Sequence, residues 1–217
     1  MKQKEGIKVC AMVLYPFDTV PGQRFRIEQW EPFLIEKGIA VDYFSFADKR
    51  LIELLPQKGN IHRKIFRLSM GLGRRLRDLA NLSQYDVVYL YRTAAMVGPS
   101  ILERIVKLFG KPIVFDFDDA IFLTDTAAAN RRFGWAKFSG KTSAICRLSD
   151  HVIVGNSYLA EYAKQFNQNV TIVPSGVDTV KFIPHKRKRD GNKIIVGWTG
   201  SSTSQTHLEM FSPMLKA

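Results

Sequence analysis

The chain of 217 residues is poor in cysteine, with two, and in histidine, with four. Cys10 sits in an apolar, strand-like stretch and Cys146 in a helix-like one. Neither has the partner spacing of a metal site or a disulfide framework, so both read as buried thiols of a reducing compartment. His62, His151, His185 and His207 are scattered without ligand spacing, and no metal is expected. No apolar run approaches the length of a membrane span. The opening "MKQKEGIKVCAMVLYPF" lacks the long apolar core and small-residue cleavage site of a signal peptide, which sets the expectation of a cytoplasmic protein.

Acids are also in short supply, 20 against 32 Lys and Arg, for a net charge of +12. The excess is concentrated. Residues 58–77 hold seven cations and no acid, and residues 185–193 hold five cations and one acid. A protein that coats nucleic acid spreads a basic stripe over its fold, and base-stacking aromatics are not clustered with these cations, so no nucleic-acid partner is expected.

Apolar residues make up 46% of the chain, enough for a sizeable core. Short runs, apolar on both faces, fall at 7–15, 40–46, 86–92, 112–118, 151–156 and 170–174. They read as strands of a sheet covered on both sides. Helical periods lie between them at 22–37, 61–82, 94–109, 127–149 and 157–167. Such alternation predicts an α/β fold with a Rossmann-like, doubly wound parallel sheet. Ligands of such sheets bind beyond the carboxyl ends of the strands. That rim holds "PFDTVPGQRFR", the turn after "YLYR", "DFDD", "GNS" and "PSGVD".

The expected N-terminal domain spans 1–182. A linker follows at 183–192, marked by Pro184, four consecutive cations and "DGN". Residues 193–217 read as one strand and one helix start, the first unit of a second α/β domain. Ser202 with Gln205 has the form of a capping box.

Within the rim, Gly22 is expected in a tight turn before a helix, with Arg24 and Arg26 forked onto a phosphate or carboxylate. Asn156 is a candidate substrate-binding residue on this rim, and Asn156 or Ser157 is also placed to cap a helix. Gly176, after Ser175, is expected where a turn needs positive φ. In "TGSS", Gly200, Ser201 and Ser202 offer a Gly turn and helix start for a diphosphate.

Ile61, Ile65, Leu68, Leu72, Leu76 and Leu79 follow the spacing of one apolar helical stripe. Opposite it fall Arg63, Arg67, Arg74 and Arg77, with Phe66 and Met70 among them. Cations interleaved with apolar side chains on an exposed face suit an anionic bilayer. The competing expectation is that Phe66 and Met70 pack under a loop.

The runs "GQRFRIEQW", "PIVFDFDDAIF", "DHVIVGNSYLAEYAKQF", "VTIVPSGVDTVKF" and "VGWTGSS" together resemble the N-terminal half of a GT-B glycosyltransferase, most like glycosyltransferase family 4. The resemblance implies an acceptor-side domain facing a donor domain that holds a nucleotide sugar, with transfer to a hydroxyl, typically without metal and with retention. It implies a glycan or lipid-linked acceptor in polysaccharide synthesis, and places Arg24, Arg26, Gly22, Ser175 and Gly176 near the cleft. The family's donor-binding motifs lie further into the second domain than residue 217, so the chain by itself is expected to be inactive.

For "DFDD" three readings stand. A D-x-D in GT-A transferases holds a divalent cation. A strand ending D-x-D in haloacid-dehalogenase-like phosphatases supplies a nucleophile, here Asp116, and an acid/base, Asp118, for Mg-dependent hydrolysis. The GT-B resemblance instead makes them carboxylates that orient acceptor hydroxyls or nearby arginines such as Arg24 and Arg92. Strand alternation puts Asp116 and Asp118 on one face and Asp119 on the other. One of the three is expected to be structural, and Asp118 and Asp119 are the candidate catalytic pair. A binding module without catalysis is the remaining alternative.

Overall fold

The computed structural model describes residues 6–123, 140–183, 197, 209–211 and 214. The chain divides into two units, Met1–Asp178 and Thr179–Ala217. Gly200, Ser201, Ser202, residues 184–192 of the expected linker and residues 127–139 of the fourth expected helix lie outside the described residues.

The first unit is built on six strands: β1 (Ile7–Val13), β2 (Ile39–Ser45), β3 (Val87–Tyr91), β4 (Ile113–Phe117), β5 (His151–Val154) and β6 (Val170–Ile172). All pair in parallel, in the order β2-β1-β3-β4-β5-β6. The order reverses between β1 and β3, which places a topological switch point, and hence a crevice, at their C-terminal ends.

Strand alternation sorts the core into two layers. Cys10, Met12, Val88, Leu90, Phe115, Phe117, Val152 and Val154 face one side. There they meet Leu79 of α4 (Ile61–Ala80), Leu102 and Val106 of α5 (Ile101–Leu108), Ile145 of α6 (Lys141–Leu148) and Leu159 of α7 (Ser157–Lys164). Ala11, Val13, Val41, Tyr89 and Tyr91 face the other side and meet Ile27 and Leu34, contributed by the segment of α1 (Pro21–Arg26) and α2 (Glu31–Glu36).

Two expected helices differ in extent by more than a few residues, and one helix was not expected. The helix expected at 22–37 is broken at Ile27 (φ −136°, ψ −45°). A 3₁₀ turn follows at Glu28–Trp30, and Pro32 opens α2, since proline suits a first turn and not an interior. The helix expected from 94 begins at Ile101, because Gly98 sits at φ 87° and Pro99 disfavours a helical residue before it. A short helix that the periodicity did not show, α3 (Lys49–Leu54), is capped by Asp48, whose Oδ1 accepts from the Leu51 N–H at 2.8 Å.

The predicted apolar stripe of α4 is not its core face. Leu79 is buried and Leu68 half-buried, but Ile61, Ile65, Leu72 and Leu76 are exposed. The buried row is Lys64, Gly71, Arg75, Asp78 and Leu79. Arg75 decides the orientation. Its guanidinium donates to the carbonyls of Val13 (2.9 Å), Phe44 (3.0 Å) and Ala94 (2.8 Å), all at or just past strand ends, and to Asp78 at 3.3 Å. Buried carbonyls need donors, and a periodicity rule that counts Arg as solvent-facing cannot see this one. The N-terminal part of α4 therefore stands beyond the sheet's C-terminal rim. It is tied to the α3 segment by Lys64 on the carbonyls of Leu55 and Gln57, and by Arg67 and Arg74 on Asp48.

Candidate functional site

At the switch point the ends of β1, β3 and β4 converge on two nested ion-pair clusters. The deeper one is Arg26 and Asp116. Nε and Nη2 of Arg26 donate to Asp116 Oδ1 at 3.0 and 2.6 Å, Nη1 donates to the Val173 carbonyl, and Tyr89 donates its hydroxyl to Asp116 Oδ2 at 2.5 Å. Burial pushes the Asp116 carboxyl up, opposed by Arg26 and Tyr89. Burial would lower the Arg26 guanidinium, but Asp116 more than offsets it, so Arg26 stays cationic. Arg26 spends its donors inside the protein, with none forked onto an external anion. Asp116 has both oxygens engaged and leaves no open face for nucleophilic attack.

The shallower cluster is Asp118 with Tyr91 and Arg92. Asp118 Oδ1 accepts from the Tyr91 hydroxyl at 2.9 Å and from Arg92 Nε and Nη2 at 3.2 and 2.9 Å. Arg92 holds a left-handed backbone (φ 63°), a conformation that costs a non-glycine residue about 1 kcal/mol or more. Burial would lower its guanidinium, and Tyr91 and Asp118 raise it beyond its usual value. Asp118 is 14% exposed at its side chain and Asp119 70%. Asp119 lies 3.7 Å from Arg92 and otherwise turns back to accept from the Ala120 N–H. Because β4 ends at Phe117, Asp118 has left the strand, and alternation does not govern it or Asp119.

Gly22 lies in the first turn of α1, not in a turn before it. Its requirement is close approach: an added Cβ would sit 2.5 Å from the Tyr91 hydroxyl and 3.0 Å from Asp118 Oδ2. Arg24 pairs with Asp18 at 2.6 Å, so of the two arginines considered for "DFDD" it is Arg92 that meets it. Asn156 caps α7, accepting from the Leu159 N–H at 3.0 Å. Gly176 does not take the expected positive φ. Its carbonyl instead accepts from Gln29 at 2.9 Å, so the segment after β6, which includes Ser175, is tied to the 3₁₀ turn.

Two sets of supporting residues escaped the sequence reading. Gln23 is fully buried and holds the loop after β1, donating to the Tyr15 carbonyl (2.9 Å) and to Glu28 (2.7 Å), while Glu28 accepts from the Asp18 N–H (2.9 Å). The turn after Arg92 is held by charges from three helices. Glu103 of α5 accepts from the Ala94 N–H at 2.9 Å and the Thr93 hydroxyl at 3.0 Å. Lys141 of α6 donates to the Ala95 carbonyl at 2.9 Å, and Arg75 of α4 to that of Ala94. Burial lowers the Lys141 ammonium, with Glu103 opposing. The only available sequence signal was their placement among apolar neighbours.

Across the described residues, no helix is long and apolar enough to cross a membrane. Comparison with known proteins gives one family: the model described as Glycosyltransferase Family 4 matches residues 23–181, well over half of the chain. No curated protein matches it.

Proposed function

The chain belongs to glycosyltransferase family 4, and from that premise we propose that its Rossmann-like domain is the acceptor side of a GT-B enzyme that moves a sugar from a nucleotide sugar to a glycan hydroxyl. The observation that carries this is the Asp118 carboxylate. One oxygen is fixed by Tyr91 and Arg92 at the switch point, and the other lies beside Gly22. Asp118 orients the attacking hydroxyl and accepts its hydrogen bond, with Asp119 at the mouth. The acceptor oxygen bonds to the anomeric carbon as the bond to the nucleoside diphosphate breaks, with retention, and the hydroxyl proton passes to the departing phosphate oxygen. Gly200, Ser201 and Ser202, which lie outside the described residues, stay the sequence's candidates for holding a diphosphate, and Arg24 lies at the rim. Such catalysis rests on positioning and on charge stabilisation.

The test is release of nucleoside diphosphate, dependent on added acceptor, across a panel of nucleotide sugars with a lipid-linked glycan extract. Acceptor-dependent transfer is expected, and Asp118→Asn should lower it about 100-fold. Equal transfer by Asp118→Asn would remove the carboxylate from the mechanism.

Exposure on α4 supports a second part of the proposal, docking on the anionic inner face of a membrane where a lipid-linked acceptor would lie. Phe66 is 61% exposed, in company with Ile61, Ile65, Met70 and Leu76, and Arg63 and Arg77 are exposed beside them. Each cation near such a surface contributes about 1 kcal/mol. Sedimentation with phosphatidylglycerol vesicles should be lost in Phe66→Ser/Met70→Ser and in high salt. Equal binding to phosphatidylcholine vesicles alone would argue against it.

A further inference from the structure

Four aromatic rings, on α7, just after it and in the turn after Asp119, stand in series and end at the crevice rim. The Arg147 guanidinium lies 4.5 Å over the Phe166 ring, and Phe166 meets Tyr162 edge-on at 5.1 Å. Tyr162 stacks on Phe122 at 3.7 Å, and Phe122 faces Tyr158 at 6.1 Å with the rings inclined by 38°. The Phe166 end is half-buried and covered by the exposed Arg147. The outer end is open: Tyr158 is 56% exposed.

Two features fix this open end beside the carboxylates. Phe122 belongs to the short turn that follows Asp119, closed by the Leu123 N–H on the Ala120 carbonyl (2.9 Å) and the Ile121 N–H on that of Asp119 (2.7 Å). Tyr158 lies in the first turn of α7, and the glycine before that helix, Gly155, runs against the Asp118 backbone: an added Cβ would lie 3.4 Å from Asp118 Cα. The aromatic surface thus starts three residues after the exposed carboxylate Asp119 and follows the segment that runs against Asp118.

We propose that Tyr158 and Phe122, with Asp119, form a binding subsite for a pyranose ring of the acceptor glycan. A pyranose has an apolar C–H face and a rim of hydroxyls. The electron-rich face of an aromatic ring attracts the first, and a carboxylate accepts from the second. A nucleotide would stack on the same rings, but with Asp118 paired to Arg92 the cluster of Asp118, Asp119 and Arg92 still carries one net negative charge, which disfavours a phosphate and suits a neutral sugar. The subsite sets which residue of the acceptor is held while its neighbour meets Asp118, and it rests on the acceptor-side reading of the crevice.

Saturation-transfer NMR on this chain tests it, with methyl glycosides of glucose, galactose, mannose and N-acetylglucosamine, and with UMP, as probes. At least one glycoside should receive saturation at its ring C–H protons. Tyr158→Phe should keep that signal and Tyr158→Ala should weaken binding about tenfold; Tyr158 is exposed, so an unchanged melting temperature will show that both variants fold. No signal from any glycoside, a signal from UMP alone, or equal binding by Tyr158→Ala overturns the subsite. Asp118→Asn separates the two readings. Binding lost there but kept in Tyr158→Ala removes the platform and leaves the crevice, whereas the opposite pattern upholds the platform and removes Asp118.

Discussion

Arg26 and Asp116 are 90 residues apart in the chain, yet their side chains meet at 2.6 Å with 2% of either exposed. The same guanidinium reaches the carbonyl of Val173, so one arginine ties α1, β4 and the segment after β6 together. Removing one partner of such a pair strands a buried charge. Asp116→Asn and Arg26→Met should each destabilise by about 3–5 kcal/mol in urea unfolding. The double variant should lose less than the sum of the two, and strict additivity would mean that the pair is not coupled.

Gly22→Ala probes the shallower cluster. Its Cβ cannot coexist with the Tyr91 hydroxyl at 2.5 Å, so Tyr91 and Asp118 must shift. Transfer activity should fall at least tenfold, and Gly22→Ala/Tyr91→Phe should recover part of it by removing the nearest obstructing atom. A double variant no better than the single one would assign the effect to Asp118 alone.

Neighbouring residues of α4 should behave opposite to their hydropathy. Arg75→Leu leaves carbonyls at three positions without their donor, at about 1–3 kcal/mol for each unsatisfied buried group. Leu76→Ser, on the exposed flank, should change stability by no more than about 0.5 kcal/mol. Thermal denaturation of the two variants settles which face packs.

Gly71→Ala should destabilise although alanine favours a helix by about 1 kcal/mol. The new Cβ would lie 2.8 Å from the Phe46 ring and 2.9 Å from the Phe46 carbonyl oxygen. A stabilised variant would mean that α4 can lift off the strand ends freely.

Asp48 links stability to pH. Burial would raise its carboxyl, but the Leu51 N–H, Arg67 and Arg74 together hold it below its ordinary value. Between the native and the unfolded pKa the unfolded chain carries more protons, so stability rises with pH there and is lost as pH falls through the native value. Asp48→Asn can still cap α3 and should flatten this acid limb in urea titrations. An unchanged limb would assign it to other carboxylates.

The fold class was legible in the sequence because a parallel sheet covered on both faces demands apolar runs of strand length, and "IKVCAMV" and "VVYLY" show them without reference to anything distant. The rim segments were legible for the same reason, since strand ends locate them. Partnership was not. Periodicity could not predict that Arg75 would turn inward, because the carbonyls it serves come from β1, β2 and the turn after β3. Nor could "DFDD" by itself say that Asp116 is spent on Arg26 and Tyr89 while Asp118 pairs with Arg92, for those partners lie tens of residues away. The sequence alone determined where backbone hydrogen bonding and burial run regularly. Only the tertiary structure decided which charge meets which, because a buried polar group is satisfied by whatever the packed fold brings within hydrogen-bond reach.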